Sequence, residues 1–217
     1  MMARTAEGTS NGTAVMARTA IGTTIGTAIE TAIGVALLWL ACSANLLRAA
    51  ETSNSYVADS GASRLEFTGV QAGAEFKGSF HKFSATIDFA PDALASAHFD
   101  VQIDLNSVDT MDKDRDQTMR GPDIFDVAHF PTAHFVTRSF AKTAAGFNAM
   151  GTLTLHGVTK DVPLDFKFVT APGGAKLEGT ATLKRLDFGV GQGDWKNTEW
   201  VADAVKVGFS LALKAKP

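Results

Sequence analysis

Cysteine is nearly absent: Cys42 is the only one in 217 residues. The chain therefore has no intramolecular disulfide, no four-cysteine zinc site and no CxxC redox pair. Beyond residue 50 it also has no thiol nucleophile. Polar aromatics are scarce too, with one Tyr and three Trp against 15 Phe, and every Phe lies between Phe67 and Phe209. Phe fills apolar space without needing a hydrogen-bond partner, so this usage points to a dry interior, either packed solid or holding an apolar guest. Basic runs are missing as well. Residues 51–217 carry 17 Lys plus Arg against 21 Asp plus Glu, and no cationic stripe is present to neutralise phosphates, which argues against nucleic acid as a partner.

Catalytic signatures are also lacking. The chain has no GxSxG, no P-loop, no HExxH and no GxGxxG ahead of a helix. Gly189-Val-Gly191-Gln-Gly193 reads as a turn between strands. Asp104 and Asp109 flank Ser107, but no base is spaced to activate that hydroxyl. The five His read as solvated or structural imidazoles: His98 and His156 on polar faces or turns, His81, His129 and His134 near strand ends. Asp112-Lys-Asp114-Arg-Asp116 resembles the start of a calcium loop, yet Gln117 stands where the sharp turn needs Gly and Asp123 where a bidentate Glu is expected. It reads as a solvated loop. No catalytic residue, metal site or cofactor is expected.

The first fifty residues are rich in Ala, Thr and Gly, and a segment beginning Met2-Ala-Arg-Thr-Ala returns fourteen residues later from Met16. Two thin copies are too few for a solenoid. From Met16 the chain has the layout of an export signal: Arg18 for the charged region, Ala32 to Ala41 for the apolar region, and small residues at Cys42-Ser43-Ala44. The apolar run is shorter than the roughly 20 residues a spanning helix needs, so a retained anchor is the secondary reading. Trp39-Leu40-Ala41-Cys42 is a poor lipidation motif. The division read from sequence is a leader over residues 1–50 and a single domain over 51–217.

From residue 64 onward apolar and polar residues alternate, the period of a strand with one buried face. Ala97, Phe99, Val101, Ile103 and Leu105 face one way, with His98, Asp100, Gln102 and Asp104 between them. The same pattern recurs through residues 65–67, 76–80, 83–89, 147–155, 162–168, 177–183 and 205–213, with a less regular strand over 133–140. Short turns separate the runs, so the strands are antiparallel. A short helix and loop are expected within 111–124. Gly78, Gly151, Gly179 and Gly208 suit the bends of a small barrel. Eight or nine such strands bury one face as a sandwich or as a closed barrel, and a barrel of this size is either filled by its own side chains or holds one small ligand.

Several blocks resemble the YceI family: Asp104-Leu-Asn-Ser107-Val-Asp-Thr110, Arg115-Asp116 leading to Asp123-Ile-Phe125-Asp126-Val-Ala-His-Phe130-Pro131, Gly151 to Leu164, and Phe188 to Trp195. They stand in the family's order and cover about residues 56–213. The resemblance implies an all-β fold, an antiparallel eight-stranded lipocalin-like β-barrel with one short helix or loop insertion, and export to the bacterial periplasm. It further implies a noncatalytic carrier whose cavity binds a polyisoprenoid lipid such as an isoprenoid quinone or its precursor. Tyr56-Val-Ala-Asp59 can serve as the opening strand. Candidate lining residues, taken from the inward phase, are Phe76, Phe80, Phe83, Ile87, Phe99, Val101, Ile103, Phe135, Leu153, Leu155, Leu164, Phe166 and Phe209; Arg115, Asp116 and Trp195 are candidates for the cavity mouth. Transient membrane contact and a homodimer are left open. The rival readings are a barrel-cavity enzyme with His81 or His134 turned inward, and a ligand-free interaction module whose barrel is filled end to end.

Overall fold

A computed structural model describes residues 54–216 of the chain; the leader expected over residues 1–50 lies outside them. Eleven strand segments form one sheet: β1 (Ser55–Ala58), β2 (Arg64–Gln71), β3 (Ala74–Phe80), β4 (Phe83–Asp88), β5 (His98–Asp104), β6 (Val108–Asp109), β7 (Thr132–Thr143), β8 (Gly146–Leu155), β9 (Val158–Ala171), β10 (Gly174–Lys184) and β11 (Ala204–Ala215). All pairings are antiparallel, and β1 closes the ring by pairing both β4 and β11. β1 and β2 run consecutively along the same edge of β11, Tyr56 opposite Ala215 and Thr68 opposite Lys206. They act as one interrupted strand. In the same way β3 continues into β4 and β5 into β6, since β2 pairs β3, β3 pairs β6, and β4 pairs β5. The eleven segments are therefore eight staves of a closed up-and-down antiparallel barrel.

Side chains stand in for ladder bonds at the interruptions. At the first, the Ser63 hydroxyl accepts from Ala212 N at 3.0 Å. Beside the other two, the Ser107 hydroxyl accepts from Lys82 N at 3.0 Å and donates to Asp104 O at 2.6 Å. The serine flanked by two aspartates is thus a corner clamp between neighbouring staves. Hairpin turns follow local chemistry: Ala72-Gly73 and His156-Gly157 place both central residues at positive φ, the two-residue turn that matches strand twist. The expected helix is α1 (Lys113–Arg120), inserted between the third and fourth staves.

The interior divides into two clusters. At one end Phe89, 1% exposed, is the hub of a plug, with ring centroids 4.9–5.8 Å from Phe99, Phe140, Phe147, Phe166 and Phe168. At the other end, Leu105, Val108, Met119, Phe125, Phe188 and Val190 pack beneath α1 and the loop that joins β10 to β11. Phe135 and Ala181 touch both clusters, which places them midway along the barrel.

The strand glycines do more than bend the wall. A Cβ on Gly69 would meet the ring of Phe76, one on Gly78 the ring of Phe67, one on Gly151 the ring of Phe135, and one on Gly179 the ring of Phe209. In three of these pairs the Gly and Phe stand directly opposite on neighbouring strands. Each glycine seats a phenyl ring flat against the wall, so the rings coat the interior without filling it. Gly208, by contrast, has open space where a Cβ would stand. A Cβ on Gly179 would also press on the Asp165 carbonyl oxygen of β9. Replacing Gly179 by Val should therefore displace backbone as well as the Phe209 ring and lower stability by about 3 kcal/mol or more, at or above the top of the usual range for overpacking; a thermal melt beside wild type checks this.

Candidate functional site: an apolar bore

The coated interior leaves a cavity of about 520 Å³ that runs from the plug to the opposite end, within the range of small-molecule sites. Ile87, Phe99, Leu177 and Leu211 bound it near the plug; Phe135, Ala181 and Phe209 form its waist; Phe80, Phe125 and Phe188 line its upper part. Polar residues border it at Gln71, Asp112, Asp114, Arg115, Thr118 and Arg185, at the end away from the plug, and at Glu66 partway along β2. The bore is thus closed by the phenyl plug at one end and carries most of its polar groups at the other.

Three segments build the polar rim. Asp112 caps α1, accepting from the backbone N–H of Asp114 and Arg115 at 3.1 Å. The Arg115 N–H bond, ahead of the nearby guanidinium charge, holds the Asp112 carboxyl below its ordinary value. The Arg115 guanidinium lies 4.8 Å from the centroid of the Phe76 ring and 3.5 Å from the Asp112 carboxylate, which fixes α1 over the second stave. Across the opening, the loop over 185–203 returns to the β2–β3 hairpin, with Ala72 N donating to Trp200 O at 2.8 Å and Ala202 N to Val70 O at 3.0 Å. Trp195 reaches the bore from this loop.

Comparison with known proteins finds the same barrel. Residues 56–213 match the model of the YceI-like domain. The chain belongs to the YceI family. Among YceI relatives, a UPF0312 protein of Yersinia pestis (strain Pestoides F) is 36% identical over 119 residues, covering 52% of this chain and 62% of that protein. The match thus spans less than two thirds of that relative's length. Of solved YceI-type barrels, BcnA of Burkholderia cenocepacia superposes with a TM-score of 0.68 at 32% identity, over 71% of this chain and 98% of its own. A polyisoprenoid binding domain from Saccharophagus degradans, 22% identical, shares the fold with a TM-score of 0.58 over 74% of this chain and 98% of its own.

Within this YceI barrel, twelve of the thirteen candidate lining residues border the bore; Phe166 is the exception. Phe166 has the inward phase, but it sits in the plug, stacked 5.4 Å from Phe147 and edge-to-face 5.2 Å from Phe89. Of the three mouth candidates, Arg115 and Trp195 reach the bore and Asp116 does not. Asp116 is buried beneath the rim, where its Oδ1 accepts from both Thr110 N and Thr110 Oγ1 at 2.7 Å. It is a strut between β6 and α1. Asp116→Ala should cost about 1.5–3 kcal/mol, the range for hydrogen bonds to a charged group, and raise hydrogen exchange over residues 110–120; unchanged exchange there would remove the strut assignment.

The sequence reading missed the bore residues supplied by α1 and by the loops, among them Met119, Phe125, Arg185 and Phe188. No period marks them, although Phe188 opens the Phe188–Trp195 block that carries the family likeness and Arg185 lies three residues before it. The histidines proposed for an inward-facing enzyme face elsewhere. His81 pairs with Asp109 and His134 with Asp100, each at 2.9 Å and each more than 40% exposed. Among the described residues no three His, Cys, Asp or Glu side chains cluster as a metal site.

Proposed function

We propose that the chain is a noncatalytic periplasmic carrier that holds the tail of a polyisoprenoid lipid, an isoprenoid quinone or its precursor, in this bore. The observation that carries the reading is the continuous, phenyl-coated cavity of about 520 Å³, closed by the plug and with most of its polar groups at its rim. An elongated apolar chain suits it because each buried methylene contributes about 0.8 kcal/mol. The Saccharophagus degradans neighbour, a polyisoprenoid binding domain, supports the same ligand class. Loading would occur by transient contact with a membrane, and the export signal read in the leader supplies the compartment.

The enzyme reading loses its two named candidates, since His81 and His134 lie on the outer surface. The interaction-module reading required a barrel filled end to end, and the cavity touches both core clusters. Solvent extraction of the purified protein followed by mass spectrometry should recover a prenyl lipid, and delipidated protein should bind an added prenyl quinone. Repeated extraction without prenyl lipid, together with no binding of added quinone, would sink the proposal.

A further inference from the structure

Arg185 stands apart from the rest of the bore wall. It is 7% exposed, and among the described residues no carboxylate lies within ion-pair distance of it. The nearby Asp203 is engaged elsewhere, its Oδ1 accepting from Leu186 N at 3.0 Å. Three backbone carbonyls of the covering loop hold the guanidinium: Nε donates to Ala202 O at 3.1 Å, Nη1 to Val190 O at 3.0 Å and Nη2 to Val201 O at 2.8 Å. A guanidinium has five N–H donors, so one on each terminal nitrogen is left over. Gly191, at φ +94°, leaves the room that Nη1 occupies, because a Cβ there would overlap it. The loop is therefore shaped around a fixed cation that borders the bore and has donors to spare. A buried charge without a counter-ion is costly unless its donors find acceptors.

We infer that Arg185 is the head-group anchor of the bore, donating its two spare N–H groups to the oxygen of a neutral head group such as a quinone carbonyl. The inference rests on the lipid-carrier reading above and adds orientation: tail toward the Phe89 plug, head at the rim. The rim's charges set the head-group class. Asp112 and Asp114 border the bore beside Arg115, and Arg115 is already paired with Asp112. Arg185 is then the one rim cation left to answer a ligand, too little for a diphosphate beside two carboxylates but suited to a neutral acceptor.

The test uses three probes with one tail: a tetraprenyl benzoquinone, the tetraprenyl hydrocarbon without the ring, and tetraprenyl diphosphate. Wild type should prefer the quinone over the hydrocarbon by about ten-fold or more, the worth of a charge-assisted hydrogen bond. Arg185→Met should erase that preference, so that quinone and hydrocarbon bind the variant alike. Equal wild-type affinity for quinone and hydrocarbon, or a preference that survives in Arg185→Met, overturns the anchor; tighter binding of the diphosphate overturns the neutral-head assignment. If Arg185→Met fails to fold, the infrared carbonyl band of quinone bound to wild type decides. A shift to lower frequency than in hexane supports the anchor, and a hexane-like band overturns it. Failure of wild type to bind any of the three probes would instead remove the carrier reading itself.

Discussion

Replacing Ala181 by Trp should abolish uptake of prenyl lipid while leaving the barrel folded. Ala181 faces inward from β10, borders the bore and touches both core clusters. An indole at this waist would separate the chamber near the plug from the rim. Excluding a single five-carbon prenyl unit forfeits about 4 kcal/mol at the usual worth of a buried methylene, nearly a thousand-fold in affinity, and the block excludes more than one unit. The stability cost is small because the ring enters empty space rather than a filled core; overpacking penalties arise where side chains must be displaced. Quinone titration and a thermal melt on the same preparation read both effects. Val169→Trp, placed at an outward position that is 62% exposed, is the matched control. Wild-type binding by Ala181→Trp would show that the ligand does not thread the bore.

Much of this architecture was legible because an antiparallel strand has only two faces. Once Phe99, Val101 and Ile103 were set in one phase, their place on the bore wall followed from closure of the sheet. Phe166 marks the limit of that logic. Phase gives the radial direction of a side chain, whereas its depth along the barrel depends on the stagger of all eight staves, and no single strand encodes stagger. The Gly–Phe seats were hidden for the same reason: Gly179 meets Phe209 only through the register of β10 on β11. Arg185 escaped, and Asp116 was placed at the mouth rather than beneath it, for another reason. Each is a charged residue, one in α1 and one in a loop, where polarity suggests solvent, yet each is buried against partners that alternation cannot report. The nine runs read from alternation and the eleven observed segments describe the same eight staves, because the breaks at 59–63, 81–82 and 105–107 fall within staves rather than between them.

Phe89→Ala tests whether the plug sets the length of the bore. The Phe89 ring is almost wholly buried and meets five other phenyl rings. Its backbone N–H is tied to Asn54 O at 2.7 Å, so the segment entering β1 holds the ring in place. Truncating a buried Phe to Ala costs about 3–5 kcal/mol from lost transfer energy and the cavity left behind. For a domain of this size each kcal/mol moves the melting temperature by roughly 2–4 °C, so a fall on the order of 10 °C is expected. The binding consequence runs the opposite way. Phe99, one of the rings packed on Phe89, also bounds the bore, so the vacated volume extends the chamber. In a series of prenyl quinones of increasing tail length, wild type should lose affinity beyond the tail that reaches the plug, and Phe89→Ala should move that limit to a longer tail. A lower melting temperature with an unchanged length limit would mean that the plug stabilises the barrel without terminating the bore, and the length of the ligand would then be set at the rim.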